Sequence, residues 1–314
     1  MTPFGTSGLT VFPLVLGGNT FGWTSDAAES RAVLDAFVAQ GGNFIDTADS
    51  YTAWIDGNSG GESETIIGSW LAQRSRNSIL IGTKVSQHPD FRGLAAANVK
   101  AAAEASLTRL GTDYIDVYFA HYDDVSVPLE ETAAAFDALV TAGKIRAVAL
   151  SNYSADRIQE WFTIAQTNGF ATPVALQPHY NLLHRTDVEG ELAPIIAEHK
   201  LAVLPYFGLA AGFLTGKYRS VDDIGDTDRS RYLNRYASAQ AFSIVDALEE
   251  IAQAHATAIA AVALAWLRSR TGVLAPLASA RTVEQLSEVM ASTHLELMPD
   301  EIATLDAVSE PRSA

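Results

Sequence analysis

The sequence predicts an α/β chain whose parallel strands close into an eight-stranded barrel, with a short β-hairpin ahead of it. Three observations carry that expectation. Short runs rich in Val, Ile and Leu alternate with longer amphipathic stretches along the 314 residues, so the apolar period switches repeatedly between 2 and 3.6. Gly41-Gly42, Gly111, Gly143 and Gly169 follow helical stretches, where a left-handed residue closes a helix. The alternative, a doubly wound sheet, would usually show a G-x-G-x-x-G turn after its first strand. The chain instead reads Leu16-Gly17-Gly18-Asn19-Thr20-Phe21-Gly22 there.

The elements follow in order. Residues 4–11 have apolar ends around Thr6-Ser7-Gly8, which reads as a small hairpin. Strands are expected near 14–16, 43–45, 79–83, 115–120, 147–150, 174–177, 202–205 and 273–277. Helices are expected near 27–40, 63–73, 95–110, 130–142, 155–167, 188–199, 241–270 and 283–292. In 130–142, Phe136, Leu139 and Val140 recur at helical spacing, as do Ile158, Trp161, Phe162 and Ala165 in 155–167. The helix over 241–270 is expected to break at Ala256-Thr257. Crossovers of this length permit parallel pairing, and eight such units make a (β/α)8 TIM barrel, one domain over residues 1–314. Segment 219–238 is polar, with Asp222, Asp223, Asp226 and Asp228. It is expected to be a long mobile loop over the strand ends.

Composition narrows the function. Without cysteine there is no disulfide scaffold, zinc–cysteine site or thiol nucleophile. The 37 acids against 21 bases give a net charge of -16, which repels nucleic-acid phosphates. The longest clean apolar run, 258–267, is far short of the ~18 residues of a membrane span. Met1-Thr2-Pro3-Phe4-Gly5 lacks the features of a secretory leader. The expectation is a cytoplasmic globular protein with no membrane or nucleic-acid partner, its oligomeric state left open.

Sites in such barrels lie at the C-terminal ends of the strands. Strand two ends in Asp46, with Tyr51 five residues on, strand three in Lys84 and strand four in His121. Strand five ends in Ser151-Asn152, strand six in Gln177 and strand seven in Tyr206, and strand eight runs into Ser279 and Arg281. Asp46 and Lys84 close apolar runs on neighbouring strands, so an ion pair between them is expected, because a buried charge needs a partner. A lysine beside Tyr51 is expected to lower the phenol's pKa from ~10. His121 could hydrogen-bond a carbonyl oxygen at the same place. Such a group moves protons but supplies no electrons, so reduction needs a hydride carrier. Ser151, Asn152 and Gln177 can hold a carboxamide, and Tyr206 offers a face for a ring. The stretch 208–217, with Leu209, Gly212 and Lys217, is small and Gly-rich, as a phosphate-binding turn is. Ser279 and Arg281 precede a helix N-terminus, which attracts anions.

These residues resemble the aldo-keto reductase family from Leu14 to about Glu288. Ile45-Asp46-Thr47-Ala48-Asp49-Ser50-Tyr51 is similar to the family's first signature, with Gly61-Glu62-Ser63-Glu64 after it. Asp113-Tyr114-Ile115-Asp116 through His121, Asp124 and Pro128 resembles its histidine segment. Residues 177–185 and Ser279-Ala280-Arg281-Thr282 are similarly placed. The resemblance implies a catalytic tetrad of Asp46, Tyr51, Lys84 and His121, and NADPH more often than NADH. It implies reduction of a small-molecule aldehyde or ketone without metal. It implies cofactor contacts from Gly18, Asn19, Ser151, Asn152, Gln177, Tyr206, Leu209, Gly212, Lys217, Ser279, Arg281, Gln285 and Glu288. Many relatives carry Ser-Pro after the stacking tyrosine, where this chain has Phe207-Gly208. Pocket shape is expected to rest on Trp23, Trp54 and Tyr122 as substrate contacts, with His88 and segment 219–238. A cofactor-binding regulatory subunit of slow turnover is the competing reading. A metal-dependent hydrolase would want His and carboxylate ligands clustered at strand ends, where this chain puts Lys84.

Overall fold

The computed structural model describes residues 1–225 and 230–311. Asp226 and Asp228, part of the expected loop, lie outside them. Eight parallel strands form one sheet: β1 (Val15–Gly17), β2 (Phe44–Asp46), β3 (Leu80–Val85), β4 (Ile115–Ala120), β5 (Ile145–Ser151), β6 (Pro173–Gln177), β7 (Ala202–Val203) and β8 (Leu277–Ala278). They stand side by side in the order β7-β6-β5-β4-β3-β2-β1-β8. Backbone bonds join the two ends: Val203 donates to Gly272, Leu274 to Val203 and Leu277 to Pro205, each at 2.9 Å. The sheet is therefore a ring.

Two apolar layers follow from the pleat, because successive side chains point to opposite faces. Val15, Phe44, Val117, Phe119, Ala149 and Leu204 fill the ring together with Phe4, Leu9 and Val11 of the hairpin. The hairpin pairs Thr2–Pro3 with Thr10–Val11, and Phe4 meets Phe44 edge-on at 5.9 Å. The alternate residues, such as Leu16, Ile45, Ile81 and Tyr118, face the surrounding helices.

Most sequence boundaries move by one to three residues. Larger corrections have local causes. The helix expected over 188–199 is two, Thr186–Glu189 and Leu192–His199; a Cβ at Gly190 would meet the Thr186 carbonyl at 2.6 Å. The helix expected over 283–292 ends at Met290 and tightens into a turn at Ala291–Thr293. The break at Ala256-Thr257 is present: Ala239–Ala254 and Ile259–Arg268 cross at 98°. No single helix among the described residues is long and apolar enough to cross a membrane. Segment 219–238 carries short regular elements in its described residues. It forms a turn at Val221–Ile224 and a helical turn at Ser230–Leu233, anchored by buried Ile224 and Leu233.

Candidate active site

The same pleat builds the site. Along β2 to β8 the inward row turns polar two residues later: Phe44 then Asp46, Gly82 then Lys84, Phe119 then His121, Ala149 then Ser151, Ala175 then Gln177, Leu204 then Tyr206, Leu277 then Ser279. Adjacent registers, such as Asp46 with Gly82 and Lys84 with Phe119, level these ends into one rim.

Lys84 is the hub. It is fully buried, and an ammonium has three donors. They go to Asp46 Oδ2 at 2.6 Å, the Thr47 carbonyl at 2.7 Å and the Tyr51 hydroxyl at 3.1 Å. Tyr51 therefore accepts from Lys84, and its own proton reaches Asp46 Oδ2 only at 3.4 Å, a long bond for a hydroxyl. The other Asp46 oxygen accepts from Gln177 Nε2 at 2.9 Å. The expected ion pair is present. The expected fall in the phenol's pKa is not. Burial, with the Asp46 carboxylate second, holds Tyr51 well above the ordinary tyrosine value. Burial also pulls Lys84 down, against the pull of Asp46.

His121 stands 6.4 Å from Tyr51, ring centre to ring centre. Burial and the Lys84 charge hold its imidazole well below the ordinary histidine value, so it is neutral. Its Nδ1 is buried without a partner among the described residues. Asn152, in the left-handed region at φ 56, donates to the His121 carbonyl at 2.8 Å and accepts from the Tyr206 hydroxyl at 2.8 Å. Ser151 donates to the Gln177 carbonyl at 2.8 Å. The three amide and hydroxyl residues of the sequence reading are thus one bonded group beside the Tyr206 ring.

The remaining predicted residues lie around β8, β1 and the loop after β7. Ser279 donates to Asn19, and Gly18 donates to the Asp46 carbonyl at 2.7 Å. After Leu209, Ala210, Ala211 and Gly212 take φ of 48, 58 and 100. Such a run costs the alanines about 1 kcal/mol or more each, and strain of this kind clusters at ligand clamps. Within the turn the Ala210 and Gly212 N–H groups donate to the Phe207 and Leu209 carbonyls at 2.7 and 2.8 Å. Lys217 and Arg281 are exposed beside it in sequence and at the start of helix Val283–Met290 respectively. Gln285 accepts from the Arg281 backbone at 3.0 Å, and Glu288 is exposed. A flat ring face, a strained small-residue turn and an arginine at a helix start fit a nicotinamide dinucleotide.

Trp54 and Tyr122 are exposed by 53% and 43%, and Trp23 meets Trp54 edge-on at 5.7 Å. His88 is buried against Gly60 and Phe91, and it lines a cavity with Gly22, Asn58 and Arg109. Sequence reasoning missed His179. It stacks 3.9 Å from His184 and 5.4 Å from Tyr206, and it bonds the Tyr236 hydroxyl at 2.6 Å. Its position two residues past Gln177 puts it on the inward row, which was the available signal. Thr47 was missed because it acts through its carbonyl, to which side-chain chemistry gives no clue. Among the described residues no three His, Asp or Glu side chains are grouped to hold a metal.

The sequence model of the Aldo/keto reductase family matches residues 13–310. The chain belongs to that family of oxidoreductases. It is 34% identical to "Protein tas" of Escherichia coli (strain K12) over 97% of this chain and 96% of that one. It is 31% identical to a "Probable voltage-gated potassium channel subunit beta" of Oryza sativa subsp. japonica over 98% and 96%. It is 30% identical to "Norsolorinic acid reductase stcV" of Emericella nidulans over 96% and 79%.

Proposed function

We propose that the protein reduces a small-molecule aldehyde or ketone to the alcohol with NADPH, Tyr51 giving the proton. The observation that carries this reading is the bonding of Tyr51: its oxygen is held by Lys84 while its proton is only loosely engaged. NADPH would supply the hydride. Ser151, Asn152 and Gln177 would hold its carboxamide, Tyr206 its ring face, and Arg281 its 2′-phosphate. A carbonyl oxygen placed at Tyr51 takes up charge as it is reduced, and the phenol then releases its proton to it. Lys84 stabilises the phenolate left behind, Asp46 keeps Lys84 charged, and neutral His121 offers a hydrogen bond to the same oxygen. A phenol held in its protonated form favours this direction, since it is an acid before it is a base. A relative named as a channel subunit keeps the regulatory alternative in view, but Lys84 bonded to both Asp46 and Tyr51, with His121 6.4 Å from Tyr51 between ring centres, supports the reductase. The test is an aldehyde and ketone panel with NADPH and NADH, followed by cofactor absorbance. Turnover with NADPH supports the reading; no turnover with any carbonyl overturns it.

A further inference from the structure

Against Tyr206 stands a second ring that the proton chemistry leaves unused. His179 lies near-parallel to Tyr206, tilted by 20° with centres 5.4 Å apart, and stacks on His184 at 10° and 3.9 Å. Its Nε2 is 2.6 Å from the Tyr236 hydroxyl. A neighbouring amide settles which group donates. Asn181 accepts from the Leu183 N–H through Oδ1 and donates to the Phe207 carbonyl through Nδ2, each at 2.8 Å. The amide therefore turns its N–H side toward His179 Nε2, 3.4 Å away. A ring nitrogen that faces a donor accepts, so the imidazole carries its proton on Nδ1 and Tyr236 donates to it. Burial, with His184 second, lowers His179 to about 4, which keeps it in that neutral form.

Each piece is itself anchored. The Tyr236 backbone donates to the Leu233 carbonyl at 3.0 Å, and Leu233 is fully buried. The Tyr206 hydroxyl donates to Asn152 at 2.8 Å, and its backbone N–H to the Pro178 carbonyl at 2.9 Å. Phe207, next in the chain, is left-handed at φ 54, a shape that persists only where the surroundings hold it, and Asn181 grips its carbonyl. Tyr206 is thus fixed at its tip, at its base and along one face.

We infer that His179 is a positioning residue for the cofactor: fixed by Tyr236, it braces one face of Tyr206 and so sets the plane on which the nicotinamide ring lies. A ring has two faces, and with one against the imidazole a flat ligand is confined to the other. The strength of such a contact depends on the tilt of the two rings. This rests on the cofactor half of the reductase reading. It goes further in making affinity for one end of the cofactor depend on a hydrogen bond one ring removed from it.

The test is a double-variant cycle in binding, measured by calorimetry without any carbonyl substrate. Tyr236→Phe removes only the hydroxyl, and His179→Phe keeps a ring but loses the acceptor. Dissociation constants for NADPH and NADH should each rise by roughly three- to tenfold in either variant, the worth of one net hydrogen bond. The double variant should bind no more weakly than the singles, because all lose the same bond. The probe 2′-phospho-ADP-ribose, which has the anionic half of the cofactor and no nicotinamide, should bind wild type and variants alike. Unchanged NADPH affinity overturns the inference, as does a double variant weakened by the product of the singles. Equal weakening of 2′-phospho-ADP-ribose also overturns it, since the pair would then merely support the fold. If wild type does not bind NADPH, the inference falls together with the reductase reading. If the variants behave as expected and no carbonyl turns over, the positioning role stands and the reductase reading falls.

Discussion

On the β2–β4 side of the rim, Lys84 has spent all three donors and Asp46 has bonded both oxygens inside the protein. On the β8 side, Arg281 and Lys217 stand exposed. The difference separates two tasks. Groups that stabilise charge during a reaction work best when their orientation is fixed beforehand. Groups that take up and release a large anionic ligand must keep bonding capacity in reserve. The strained turn at Ala210-Ala211-Gly212 lies between these cases, since its unfavourable backbone shape is held by the Ala210 and Gly212 N–H groups donating to the Phe207 and Leu209 carbonyls.

The sharpest way to break this contrast is Tyr51→Phe. It should lower turnover by roughly 10²–10⁴-fold, the usual weight of a positioned acid, with NADPH affinity nearly kept. Near-normal turnover would remove Tyr51 from its role. Next is Lys84→Met, which leaves Asp46 buried without its cation. Activity should collapse, and stability should drop by about 3–5 kcal/mol, read from urea unfolding. A variant of unchanged stability would mean that the pair is not held as described.

Arg281→Ala probes the open half. NADPH dissociation constants, by fluorescence quenching at fixed ionic strength, should rise by about ten- to a hundredfold, from losing charged hydrogen bonds worth ~1.5–3 kcal/mol. NADH should be affected less, and melting temperature little. Equal weakening of both cofactors would argue against a phosphate contact. The smallest effect concerns His179, whose pKa burial lowers from the ordinary value to about 4. It is neutral in the fold and gains a proton earlier in the unfolded chain. Its contribution to stability is therefore complete above about pH 6.5 and is lost as pH falls from there toward about 4. The urea midpoint should decline over that window, and His179→Gln should make the decline shallower. An unchanged slope would place the titration elsewhere.

Much of the rim was legible because chemistry there sits on strands. A polar residue closing an apolar run reports both its element and its facing, which located Asp46, Lys84, His121, Gln177 and Tyr206. The Tyr51 pKa was not legible. Proximity of Lys84 can be read from neighbouring strands, but burial is set by how loops close over the phenol, and burial decided the sign. The two short turns in the described part of segment 219–238 were hidden for a related reason. The segment's composition is polar overall, and two isolated apolar residues, Ile224 and Leu233, do the anchoring. The ring cluster at His179 depends on Tyr236 arriving from that same segment, so no single stretch of sequence contains it.

The inward row of each strand is at once ballast and instrument: Phe44 fills the ring, and two residues later Asp46 meets Lys84. One added residue within Leu80–Val85 would exchange the two faces beyond it, turning Lys84 toward the helices and Thr83 into the ring. Packing and chemistry would fail together, however mild the residue itself. An insertion scan should therefore find the strands closed to single additions of any kind, while the loops past the rim accept them. New specificity in such a scaffold can enter by lengthening loops, but along the strands only by exchanging one side chain for another in place.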